Sequence, residues 1–202
     1  AASPTPSPWR PTPSVRVTTC CTSRGDHTPS RPLACCTFRG SVTSLDAASG
    51  DVIWKFYTVD EPKPRGTSAN GKPLFGPAGV GIWSAPTIDE GRGLVYVATG
   101  NAYADPAPPT ADAILAISID KGELVWSKQL TTPSDTWIGG CNPNTPNANC
   151  PEEVGPDFDF SASPVLSHGK SGRELLVIPQ KSGMAYALDP ANNGALVWEY
   201  RA

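Results

Sequence analysis

This sequence predicts an all-β fold of repeated four-stranded sheets, part of a β-propeller. From Cys35 onward the chain runs as short alternating or β-branched segments separated by Gly, Asp, Asn and Pro, without a helical period. Three segments share one grammar of strand, Asp, Gly turn, strand and Trp: "VTSLDAASGDVIWKFYT" (42–58), "ILAISIDKGELVWSKQL" (114–130) and "AYALDPANNGALVWEYR" (185–201). Their tryptophans, Trp54, Trp126 and Trp198, recur at an even interval of 72 residues, which holds four short strands and their loops, as a propeller blade does.

The first 34 residues, dense in Pro, Ser and Thr and poor in aliphatics, read as an irregular segment, and 35–202 as the partial propeller. Residues 41–58 read as the outer half of a blade. Its turn is hairpin chemistry, since an Asp caps its own backbone and a Gly supplies the positive φ that a tight turn requires. A complete blade follows at 83–130, with strands "WSAPTID" (83–89), "GLVYVATGN" (93–101), "DAILAISID" (112–120) and "ELVWSKQL" (123–130). The second, at 159–201, runs "DFSASPVL" (159–166), "ELLVIPQ" (174–180), "GMAYALD" (183–189) and "ALVWEYR" (195–201). Each repeat Trp is expected to pack between neighbouring blades, where its ring buries the most surface. Two blades and a half do not close a ring of the usual size, so further blades are expected partners, and the chain alone exposes sheet faces and edges.

Composition narrows the function. The 202 residues carry a net charge of -3 and no long run of one sign, which points away from nucleic acid and anionic membranes. No apolar stretch approaches the roughly 20 residues of a membrane span, and the N-terminus lacks the order of a signal peptide. The six cysteines fall as Cys20-Cys21, Cys35-Cys36, Cys141 and Cys150, without zinc spacing or a haem-attachment motif. Cys141 and Cys150 flank "CNPNTPNANC", a loop that cannot pack a core; a disulfide closing it and two free buried thiols are both open.

At "LDAASGDVIWKFYT", "IDKGELVWSKQL" and "LDPANNGALVWEY" the repeats resemble the tryptophan-docking repeats of quinoprotein dehydrogenases, eight-bladed propellers that hold pyrroloquinoline quinone (PQQ). More narrowly, "CCTFRGSV", "GIWSAPTID", "YVATGNAY", "PSDTW" and "GPDFDFSASPVL" are similar to the polyvinyl alcohol dehydrogenase branch, which couples the propeller to a haem c domain. The resemblance implies that Trp83 is the floor on which the quinone stacks and that Asn101 is a calcium ligand. An indole offers a broad π face, and an amide oxygen is a hard donor. It implies that Asp159 is the catalytic base and also reaches the calcium, and that Lys181, in "IPQKSG", contacts the quinone oxygens. In a strand, Asp157 and Asp159 would share one face and Phe158 and Phe160 the other. The plainer alternatives are a core Trp at 83, a turn Asn at 101, loop-solvating acids at 157 and 159, and a surface Lys at 181.

The implied activity is oxidation of a small or polymeric alcohol by hydride transfer to PQQ, with electrons leaving to a cytochrome c whose haem c lies on another domain or partner. A periplasmic or secreted location is implied as well. The resemblance departs at "LACCTFRG", where calcium-binding relatives supply a Glu and this chain has Cys35-Cys36, a vicinal disulfide or two small core residues. Asp26 is the only acid in residues 14–34, so calcium is implied by Asn101 and Asp159 but not by this stretch. Two other readings are a cofactor-free propeller scaffold for protein–protein interaction and an inert truncated fragment.

Overall fold

The computed structural model describes residues 14–18, 37–68, 71, 73–131, 136–137, 154–169 and 172–202. The strands are β1 (Ser14–Thr18), β2 (Ser41–Leu45), β3 (Val52–Tyr57), β4 (Lys63–Thr67), β5 (Pro73–Gly76), β6 (Ala78–Gly79), β7 (Thr87–Asp89), β8 (Leu94–Ala98), β9 (Ala102–Ala104), β10 (Ala113–Ser118), β11 (Leu124–Gln129), β12 (Val165–His168), β13 (Glu174–Pro179), β14 (Met184–Asp189) and β15 (Ala195–Arg201). The helical content among the described residues is one 3-10 turn, Pro190–Asn192, and no helix is long and apolar enough to cross a membrane.

Three antiparallel sheets form the body: β1-β2-β3, β11-β10-β8-β7 and β12-β13-β14-β15. The second and third are complete blades and the first is a partial one. Their outer hairpins use the expected turn chemistry. Asp46 Oδ1 accepts from the backbone N–H groups of Ala48 and Ser49 at 2.9 and 2.8 Å, and Gly50 takes φ +79°. Asp189 repeats the cap on Ala191 at 3.0 Å, with Gly194 at φ +69°.

Because strand side chains alternate, each sheet has two apolar faces to cover. Val42, Trp54 and Phe56 of the first sheet pack against Val95, Val97, Leu115 and Ile117 of the second. The opposite face of the second, with Tyr96, Ile114, Ala116 and Trp126, packs against Leu176, Ile178, Tyr186 and Leu188 of the third. The repeat tryptophans close these joints. Trp54 Nε1 donates to the Ile119 carbonyl at 2.7 Å, and its ring lies so close to Gly122 that a Cβ there would stand 2.7 Å from Cγ. Trp126 seats on Gly194 in the same way, 2.6 Å from Cζ3 to a Cβ position. Trp198, expected between blades like the other two, is instead 40% exposed, because no described sheet lies against its face.

A polar tie joins the same two blades. Arg92, in the β7–β8 turn, donates to Asp89 Oδ2 at 2.8 Å and to Glu174 on β13, while Tyr96 OH donates to Asp89 at 2.9 Å. Burial pushes the Asp89 carboxyl up, but the bonds from Arg92 and Tyr96 outweigh it and hold the group below the usual carboxylate range.

Several expectations are corrected. The irregular N-terminal segment contains β1, whose "SVRVT" pairs along its length with Ser41–Leu45; the β-branched alternation wins locally over the surrounding prolines. The strands expected from Trp83 and Asp159 begin later, at Thr87 and Val165, after the Pro86 and Pro164 that lack a ladder donor. Two small sheets, β4-β5 and β6-β9, were not expected at all. All six cysteines lie outside the described residues, and the disulfide readings with them.

Candidate functional site

The β6–β9 pairing continues beyond Gly79 and Ala102: Val80 N–H donates to the Asn101 carbonyl at 2.8 Å and Gly100 N–H to that of Gly81 at 2.9 Å. This extension sets the Trp83 and Asn101 segments side by side. Trp83 is 47% exposed although Ile82 before it is fully buried, so the indole is presented outward and is no core residue. Asn101 is 1% exposed, and its Nδ2 donates to the Pro156 carbonyl at 3.3 Å, which is not the setting of a solvated turn.

Residues 155–160 cross over from the third blade onto this pair. Phe160 N–H donates to the Thr99 carbonyl at 3.2 Å, and the Phe160 ring, fully buried, anchors the crossing in the core. Asn101 N–H donates to Asp159 Oδ1 at 2.9 Å. Lys181 N–H reaches the Asp159 carbonyl at 3.1 Å, while its Nζ pairs with Asp157 Oδ2 and stands 3.8 Å from Asp159 Oδ2. The strand expected at 157–160 is absent, because Phe158 N–H turns back to the Pro156 carbonyl. Both carboxylates nonetheless reach one cation, and Lys181 is half-exposed and ion-paired.

The electrostatics follow from that crowding. Burial first, and then the neighbouring Asp157, push the Asp159 carboxyl up to about 6, against the opposing pull of the Asn101 N–H and Lys181. Lys181 is raised, chiefly by its hydrogen bond to Asp157.

Two residues were not singled out by sequence reasoning. Gly100 lies between Trp83 and Asp159: a Cβ there would overlap Asp159 Oδ1 and stand 2.7 Å from Trp83 Nε1. Its signal, a Gly directly before Asn101, reads equally as a turn. Trp137, in "PSDTW", has its backbone N–H on the Ala102 carbonyl at 2.9 Å and its ring centroid 5.9 Å from Lys181 Nζ.

The donor set has a definite chemistry. An outward indole on one side of Asp159 and a half-exposed cation on the other offer a flat anionic molecule both stacking and charge. Asp157 Oδ1 is buried without a hydrogen-bond partner among the described residues, and beside a second carboxylate it fits a hard cation. The described residues contain no cluster of three His, Cys, Asp or Glu that could hold a metal by themselves. Asn101, Asp157 and Asp159 would therefore contribute only part of a calcium shell.

The signature of the PQQ glucose/ethanol/alcohol dehydrogenase β-propeller domain matches residues 22–138. The chain belongs to this family. It is 50% identical over 168 residues to a polyvinylalcohol dehydrogenase of Pseudomonas sp, covering 83% of this chain and 26% of the relative. A polyvinylalcohol dehydrogenase of Sphingopyxis sp. (strain 113P3) is 46% identical, covering 82% and 25%. Among solved structures, the quinohemoprotein alcohol dehydrogenase from Comamonas testosteroni superposes with a TM-score of 0.57 at 22% identity, over 82% of this chain and 25% of that one. The chain thus spans about a quarter of the length of the relatives it matches. The partial PQQ-type propeller is the fold that the sequence predicted.

Proposed function

We propose that the chain is part of a PQQ-dependent alcohol dehydrogenase that oxidises the secondary hydroxyl groups of a polymeric alcohol. The carrying observation is the convergence of Trp83, Asn101, Asp159 and Lys181 at the joint of two blades, with Gly100 leaving no side chain between indole and carboxylate. The polymeric substrate rests on the names of the two relatives that are 50% and 46% identical.

When bound, PQQ supplies the acceptor for the alcohol's hydride, and calcium polarises its carbonyl. Trp83 supplies the stacking floor, and Lys181 the positive charge for quinone oxygens. Asp159 acts as general base through one oxygen: Oδ1 is occupied by the Asn101 N–H at 2.9 Å, which fixes the carboxylate and leaves Oδ2 for the hydroxyl proton. Lys181, 3.8 Å from Oδ2, steadies the negative charge without removing the lone pair. Asn101 and Asp159, with Asp157, would hold the calcium. A cytochrome c accepts the electrons, haem c resides on another domain or partner, and the assembly works in the periplasm or outside the cell. An interaction scaffold would have no use for the outward Trp83 or the crowded acids.

The test is a titration of the chain with PQQ, with and without calcium, read by quenching of tryptophan emission and by quinone absorbance retained through gel filtration. Calcium-dependent binding lost in Trp83→Ala is expected; quenching that survives Trp83→Ala unchanged would overturn the assignment.

A further inference from the structure

The motif "PSDTW" brings a residue to the site for which the proposed reaction has no task. The backbone of Trp137 is firmly seated. Its N–H donates to the Ala102 carbonyl at 2.9 Å, and Thr136 before it forms a parallel bridge to Ala102. Thr136, buried, donates through Oγ1 to Asp105 Oδ1 at 2.8 Å, while Arg65 stands 3.5 Å from the other oxygen of that carboxylate. The Thr136 carbonyl accepts from Gly155 N–H at 3.1 Å. Trp137 is thereby tied both to the strand that follows Asn101 and to the crossing that carries Asp157 and Asp159. From this seat its ring centroid lies 5.9 Å from Lys181 Nζ, within the reach of a cation–π contact.

Lys181 is fixed in its backbone but not by its backbone alone in its charge. Its N–H is held by the Asp159 carbonyl at 3.1 Å. Gln180 before it is buried, with its N–H on the Met184 carbonyl and its Nε2 on Thr131 Oγ1, both at 2.8 Å. The Lys181 side chain, by contrast, is a half-exposed point charge on a flexible four-carbon stem. Asp157 and Asp159 attract the ammonium, yet at such exposure water weakens the attraction. A ring face beside the ammonium adds a direction that the carboxylates do not supply.

We propose that Trp137 is a positioning residue, whose ring keeps the Lys181 ammonium beside Asp157 and Asp159, where a quinone oxygen would meet it. The quinone part of this rests on the dehydrogenase reading; the pairing of Trp137 with Lys181 does not. Trp137 acts through Lys181 and needs no contact of its own with the reacting atoms.

The test uses the full-length enzyme and two readouts. The first, without quinone or calcium, is the rate at which a succinimidyl ester acylates Lys181, read by peptide mass spectrometry with the exposed Lys121 as internal reference. Trp137→Leu should raise that rate about two- to fivefold, the scale of a cation–π contact at an exposed site, and leave Lys121 unchanged. Trp137→Phe, which keeps a ring face, should stay near wild type. Incorporating 5,7-difluorotryptophan weakens the hold of the ring on a cation at nearly constant size, and should shift the rate in the same direction whether or not Trp137→Leu folds well. The second readout is quinone affinity by fluorescence titration. Trp137→Leu should weaken it about two- to fivefold in the wild-type background and no further in Lys181→Met, where there is no ammonium to place. Equal weakening in both backgrounds, or a Lys181 acylation rate that neither Trp137→Leu nor fluorination moves, would overturn the proposal. An acylation contrast in an enzyme that binds no PQQ would uphold the Trp137–Lys181 pairing and overturn the quinone reading instead.

Discussion

Trp83 Nε1 and Asp159 Oδ1 lie on either side of an absent side chain, since a Cβ on Gly100 would overlap the carboxylate and crowd the indole at 2.7 Å. Gly100 is not in the left-handed region, so its backbone tolerates alanine and the consequence is steric. Gly100→Ala should therefore weaken PQQ binding by about 10²-fold, the scale of an ångström-sized misplacement, while the melting temperature changes little. Fluorescence titration beside a thermal melt separates the two effects; unaltered affinity would remove Gly100 from the site.

Asp159→Asn should lower alcohol oxidation by about 10²–10⁴-fold in the full-length enzyme, the usual contribution of a positioned base. The amide oxygen can still accept from the Asn101 N–H, so the local fold should persist. The measurement is kcat with saturating quinone, and activity near wild type would exclude Asp159 as the base.

The buried joint should be far more sensitive than its exposed counterpart. Trp126 is 7% exposed and Trp198 40%. Trp126→Ala should cost about 3–5 kcal/mol, as large aromatic deletions in cores do. Trp198→Ala, measured in dilute solution, should cost well under half of that. Denaturant unfolding of both variants decides it, and equal losses would contradict the packing.

Acid should loosen the polar tie between the blades. Asp89 is held below its ordinary 3.8 in the folded state by Arg92 and Tyr96, despite its burial. Its folded pKa is therefore the lower one. The stability it contributes is present above pH 3.8 and is lost as the pH falls through the depressed value. Asp89→Asn should flatten the acid limb of the melting-temperature profile and lower the plateau; a profile that keeps its shape would place the acid sensitivity elsewhere.

Much of this architecture was legible because it is written in local chemistry. The turns at 46–50, 118–122 and 189–194, capped by Asp46, Ser118 and Asp189 and each ending on a Gly of positive φ, fix the hairpins, and the even Trp spacing gives the blade length. Strand β4, "KPRGT", was not legible, for it carries Pro, Gly and two charges, its pairing with β5 is irregular at Arg65, and that side chain is held by Asp105. Trp83, Asn101, Asp159 and Lys181 could be named from their motifs. Their arrangement could not, since it depends on a non-strand crossing at 155–160 whose anchor, Phe160 N–H to the Thr99 carbonyl, joins positions 61 residues apart.

That crossing means that the site is owned by a pair of blades. Trp83 and Asn101 come from the segments that flank the strands of one blade, Asp159 from the crossing that leads into the next and Lys181 from its β13–β14 turn, and Trp126 packs on Gly194 at the joint between the two blades. Duplicating or exchanging a single repeat would carry the floor without the base, or the base without the floor. In such a molecule the heritable unit of chemistry is two adjacent repeats with their joint, and recombination preserves the reaction only when its breakpoints fall outside that pair.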